Sequence, residues 1–190
     1  MKNDIKKYIT ESIDTKKKLL ESESILESIF IVTEKIIETY KTGNKVLIAG
    51  NGGSAADAQH IVAELVSKFI KNRKALNAIA LTTNTSILTA ISNDYGYEEV
   101  FSRQIEAYAN VGDVYIAIST SGNSKNIIKS IETANKIGIT TVGLNGNNLS
   151  EMDKLCKISI KIPSSKTSII QESHIMIGHI IAGLVEEQLF

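Results

Sequence analysis

Short apolar runs alternate with segments of helical period along most of the chain. Val46-Leu47-Ile48-Ala49, Ala78-Ile79-Ala80-Leu81, Val114-Tyr115-Ile116-Ala117-Ile118 and Thr140-Thr141-Val142-Gly143-Leu144 have strand length. Such continuous runs predict strands buried on both faces, as in a parallel sheet. A fifth strand is predicted from Lys157 to Ile162, closed by the only proline, Pro163. Helical patterns fill the gaps: one starting at Ser54, then Ser86 to Ile91, Glu98 to Ala109, Lys125 to Ile137 and Ser168 to Gln188. Asn93-Asp94-Tyr95-Gly96 predicts a turn between the second and third of these. The alternation predicts an α/β fold, a three-layer sandwich around a five-stranded parallel, doubly wound sheet. Ligands of such folds bind at the carboxyl ends of the strands.

The first forty-odd residues predict two further helices. Ile5, Tyr8, Ile9 and Ile13 form one apolar stripe, and Ile25, Ile29, Val32, Ile36 and Tyr40 form a longer one, stopped by Gly43-Asn44. A sheet domain of this size offers the first stripe no evident partner. The expectation is one domain over residues 1–190, with 1–42 as a helical segment used in oligomerisation.

Lys45 to Lys68 organises the rest. Its strand runs into Gly50, Gly52 and Gly53, which permit a tight turn and close approach of backbone to a ligand. Ser54 and Asp57 have capping-box spacing at the start of the following helix. Strand, glycine turn and helix together make a phosphate-holding construction. Asp57, His60 and Glu64 then fall on one face of that helix. Gly50-x-Gly52-x-x-Ala55 also satisfies a dinucleotide fingerprint, but the second strand ends in Thr82-Thr83-Asn84, without the acid that would hold a ribose. A nicotinamide cofactor is therefore not expected, and no Gly-Lys-[Ser/Thr] loop is present.

A second polar loop, Ser119-Thr120-Ser121-Gly122-Asn123-Ser124, follows the third strand as the glycine loop follows the first. Four hydroxyls at a helix start suit a phosphate, with backbone N–H groups and the helix dipole adding to the attraction. On the last helix, Gln171 and His179 are eight apart and so lie within a quarter turn of each other, with His174 on the same broad face.

Charge and composition narrow the partners. Lys+Arg 21 against Asp+Glu 21 leaves no net charge, which argues against nucleic acid. Lys16-Lys17-Lys18 is flanked by acids and reads as a solvated helix face. No apolar run approaches transmembrane length, so no membrane partner is expected. The lone Cys156 reads as a buried small residue in a reducing cytoplasm.

Asn51-Gly52-Gly53-Ser54, the Ser119–Ser124 loop, Gln171-Glu172-Ser173-His174 and the stretch from Thr89 to Gln104 together resemble the sugar isomerase (SIS) domain family. Within that family they resemble the phosphoheptose isomerases. The resemblance covers nearly the whole chain. It implies a flavodoxin-like SIS domain that interconverts sedoheptulose 7-phosphate and D-glycero-D-manno-heptose 7-phosphate, the first step towards a nucleotide-activated heptose. By resemblance, Ser54, Ser119, Thr120, Ser121 and Ser124 hold the phosphate, while Asn51, Gly52, Gly53, Asn93, Asp94 and Gln171 contact the sugar. Glu64 and His179 match the acid–base pair, with Glu64 also touching substrate. His60, Glu64, Gln171 and His179 match the ligands of a zinc ion, one per subunit, seen in some members. A homotetramer with shared active sites is implied too. The chain departs from the pattern at Ile169 and Lys68, where arginines are usual. Relatives that bind the replication initiator, or sense a sugar phosphate without turnover, are the competing reading. The initiator-binding relatives lack counterparts of Glu64 and His179, and a sensor would need the phosphate loops but no acid–base pair.

Overall fold

A computed structural model describes all residues 1–190. Five strands, β1 (Val46–Gly50), β2 (Ala78–Ala80), β3 (Val114–Ile118), β4 (Thr140–Asn145) and β5 (Ile158–Lys161), form one sheet in the order β2-β1-β3-β4-β5. Every pairing is parallel, as continuous apolar runs require. β1 and β3 are wholly buried.

Helices cover both faces. Val46 and Ile48 of β1, with Val114, Ile116 and Ile118 of β3, pack on one side against α2 (Glu23–Lys41), α3 (Gly53–Val66) and α8 (Thr167–Leu189). Leu47, Ala49, Tyr115 and Ala117 point to the other side. There they meet α5 (Ser102–Tyr108), α6 (Lys125–Ile137) and α7 (Glu151–Leu155). This is the expected three-layer sandwich, with α7 a short helix the periodicity did not reveal. α8 is long and apolar enough to cross a membrane by composition, yet half of that stretch is buried against the sheet and its neighbours. Its hydropathy belongs to a core helix packed on α2 and α3.

α1 (Lys2–Leu20) lies outside these layers and buries only Thr15 and Leu19, against α2 and α8. Its stripe of Ile5, Tyr8, Ile9 and Ile13 stays exposed.

Two local expectations fail. α3 begins at Gly53, with Gly52 as its cap at φ 56°, ψ −120°, a conformation that only glycine adopts easily. Ser54 is thereby inside the first turn, so no capping box forms with Asp57, one of whose oxygens is buried without a partner. The turn predicted at Asn93–Asp94 is instead the last turn of α4 (Thr85–Tyr95). The helix continues until Gly96 stops it at φ 94°, followed by a 3₁₀ turn over Tyr97–Glu99.

Strand order reverses direction between β1 and β3, whose carboxyl ends lie side by side with Gly50 opposite Ile118. The glycine loop and the serine loop emerge there together, at the topological switch point of the sheet.

Candidate active site

The glycine loop has no spare room. A Cβ on Gly50 would lie 2.4 Å from the Ser54 carbonyl oxygen, because the first turn of α3 folds back on the strand end. One on Gly53 would lie 2.6 Å from Gln171 Nε2, which places the Gln171 amide against the loop. Ser54 itself is buried.

Three hydroxyls converge in the neighbouring loop. Ser119, buried, has its Oγ 3.1 Å from Ser124 Oγ and 3.5 Å from Ser121 Oγ. Ser124 is the cap residue of α6 but makes no side-chain capping bond, so its hydroxyl is committed to the cluster and not to the helix. The Thr120 carbonyl accepts from Gly146 N, which fastens this loop to the end of β4. Hydroxyls gathered over a helix N-terminus suit an anion.

An amide pair ties the two loops together. Asn51 Nδ2 donates to Asn126 Oδ1 and Asn126 Nδ2 donates back to Asn51 Oδ1, each at 2.9 Å. The Tyr97 hydroxyl donates to the same Asn51 oxygen at 3.1 Å. The sequence reading missed both partners. Asn126 stands two residues beyond the serine loop and could have been found from that position, whereas nothing local marks Tyr97. Asn93 and Asp94 are exposed and bonded to each other at 2.8 Å, with no direct hydrogen bond to either loop.

Two turns down α3 the titratable heads meet. His60 Nε2 is 3.1 Å from Glu64 Oε1, and His179 Nε2 from α8 is 3.4 Å from His60 Nε2, the rings edge to face at 4.8 Å between centroids. The ligating atoms of His60, Glu64 and His179 all lie within 4.8 Å of one another. Two imidazole nitrogens and a carboxylate oxygen turned to one point are a donor set that zinc accepts. Gln171 lies two helical turns earlier on α8, about 12 Å along the axis from His179, and its amide is with the glycine loop. Ile169, where the family carries arginine, is buried in the first turn of α8, and Lys68 is exposed just past α3.

Two further titratable groups on α3 and α8 do not join the cluster. Burial raises the Asp57 carboxyl, against a smaller opposing pull from His60. Burial also holds the His174 imidazole neutral, down to about 4, although the Asn145 carbonyl favours its proton.

The SIS domain family model matches residues 7–146. The phosphoheptose isomerase of Aneurinibacillus thermoaerophilus is 56% identical over 190 residues, covering 100% of this chain and 96% of its own. The chain belongs to the SIS domain family, with the phosphoheptose isomerases. Solved structures agree. Phosphoheptose isomerase from Neisseria gonorrhoeae superimposes with a TM-score of 0.92 at 35% identity, covering 98% of each chain. The Francisella tularensis enzyme does so with a TM-score of 0.93 at 30% identity, covering 97% of each.

Proposed function

We propose that this isomerase converts sedoheptulose 7-phosphate to D-glycero-D-manno-heptose 7-phosphate, with Glu64 and His179 as its acid–base pair. The observation that carries this reading is the meeting of His60, Glu64 and His179 on α3 and α8, with α3 starting from the glycine loop that the Asn51–Asn126 pair ties to the hydroxyl-lined loop. Ser119, Thr120, Ser121, Ser124 and Ser54 hold the phosphate. Asn51, Gly52, Gly53, Asn93, Asp94 and Gln171 contact the sugar, Asn51 being held by Asn126 and Tyr97.

Anchoring the remote phosphate fixes the carbonyl end of the sugar near α3, which turns a chance encounter into a positioned one. Glu64 takes the C1 proton while the C2 carbonyl oxygen gains one from His179, giving an enediol. The C1 hydroxyl then gives its proton back to His179, and Glu64 returns its proton to C2. One C–H bond breaks, one forms, and both groups end as they began. His60, Glu64 and His179 would hold a zinc ion, and Gln171, the fourth ligand by resemblance, would join them only by turning its amide away from the glycine loop. When bound, that ion would supply Lewis-acid stabilisation of charge on the substrate oxygens.

The functional unit is a homotetramer in the cytoplasm. Its support is the exposed stripe of α1, together with Leu20 at the end of that helix, Phe30 and Ile31 on α2 and Leu184 on α8, apolar surface that an assembly would cover. Coupled turnover of sedoheptulose 7-phosphate, with and without chelator, tests the reading. Turnover that zinc restores after chelation is the expected result, and absence of turnover in metal-replete protein would reject it.

A further inference from the structure

Seven residues beyond His179, and so on nearly the same face of α8, a carboxylate is buried. Glu186 is 2% exposed. Its Oε1 accepts from Ile70 N at 2.7 Å and Lys71 N at 2.6 Å, and its Oε2 from Phe69 N at 2.9 Å and Arg73 Nε at 2.7 Å. Burial opposes that charge, but three backbone N–H groups and the guanidinium outweigh it and bring the carboxyl to about 2.

Arg73 in turn donates from Nη2 to the Glu64 carbonyl at 2.8 Å and from Nη1 to the Leu65 carbonyl at 2.8 Å. These belong to the final turn of α3, where carbonyls lack helical partners and a cation is favoured. The guanidinium therefore grips the backbone of Glu64 itself. The segment it closes carries Phe69, whose ring packs on the His179 imidazole at 5.7 Å between centroids, tilted by 37°. Gly183, one turn past His179, makes that possible, since a Cβ there would come within 3.2 Å of Phe69 Cε1.

A buried ion pair adds little net stability over apolar packing, which leaves its geometry as the reason to look for a role. We propose that Glu186 and Arg73 are positioning residues for the isomerisation. They pin residues 67–73 across α3 and α8, so that Arg73 fixes the turn bearing Glu64 while Phe69 seats His179. Neither touches substrate; both act through the acid–base pair, and the proposal rests on the assignment of that pair above.

The test compares wild type, Glu186→Gln and Phe69→Ala for kcat, KM and melting temperature. The ring-proton resonances of His179 are followed by NMR in histidine-labelled protein. Both variants are expected to lose roughly 10- to 100-fold in kcat, as a displaced catalytic group does, with KM held within about threefold. The His179 resonances are expected to move as the Phe69 ring current is lost. A kcat within about twofold of wild type, measured well below each melting temperature, would reduce the pair to a structural clamp and overturn the proposal. So would unmoved His179 resonances. Should Glu186→Gln fail to fold, Phe69→Ala decides, because it removes the contact and leaves the ion pair intact. If wild type itself does not isomerise the sugar, the proposed function has failed, and the resonances still decide whether the segment seats His179.

Discussion

At the scale of single residues, the proposed chemistry rests on the three heads that face one another, His60, Glu64 and His179. Glu64 is the carboxylate of that group, 22% exposed at its side chain and bonded to His60. Glu64→Gln keeps the shape and removes the proposed base, so kcat should fall by about 10²–10⁴. Substrate binding should stay within a few-fold, as measured by calorimetry. A second residue-scale effect belongs to His174, fully buried with Nδ1 unpartnered. Its folded pKa, near 4, lies below the ordinary value of about 6.5. Between those values the unfolded chain binds a proton that the folded chain refuses, so stability falls as pH drops through that window. Melting temperatures taken from pH 7 to pH 5 should decline in wild type and decline less in His174→Gln.

At the scale of elements, the proposed function makes the serine loop and the first turn of α6 one anion site. Ser119→Ala or Ser121→Ala should weaken binding of the phosphorylated sugar by roughly 1–3 kcal/mol, the loss of a hydrogen bond to a charged group. Binding of unphosphorylated sedoheptulose should be weak and unchanged, and titration of both ligands checks this. The strands and most helices were legible in the sequence, because buried parallel strands are apolar throughout and amphipathic helices repeat their period. The start of α3 was not. Ser54 and Asp57 have the spacing of a cap, but Gly52 turns the chain two residues earlier through a conformation that spacing does not encode. The end of α4 was misread for a related reason. Asn93 and Asp94 favour turns, yet the helix carries them until Gly96 can leave it. Of the site, His60, Glu64 and His179 were legible as candidates from helical spacing and resemblance, and the fold brings them together. Asn126, Tyr97, Phe69, Arg73 and Glu186 were not named, because their meaning lies in contacts made across the chain, over 113 residues for Arg73 and Glu186.

At the scale of the whole molecule, a parallel sheet with its switch point between β1 and β3 places both loops on one edge, and α8 crosses behind them to deliver Gln171 and His179. The same architecture leaves α1 outside the layers with its stripe uncovered. If that stripe seals a tetramer, Ile9→Glu should break the assembly without unfolding the chain, since Ile9 is already exposed within one copy. Sedimentation should show wild type at four times the 20.7 kDa chain mass and the variant below it. The central claim, that these elements build an aldose–ketose isomerase whose proton passes through Glu64, is tested most directly by solvent exchange during turnover. Purified protein given sedoheptulose 7-phosphate in D₂O should accumulate aldose heptose 7-phosphate, with deuterium at C2 in the share of turnovers where the proton on Glu64 exchanges with solvent before its return, seen by mass spectrometry and NMR, and Glu64→Gln should form the aldose at least about 10²-fold more slowly. Wild-type protein that neither converts the ketose nor exchanges its C1 proton, or a Glu64→Gln variant that does both at the wild-type rate, would contradict the account.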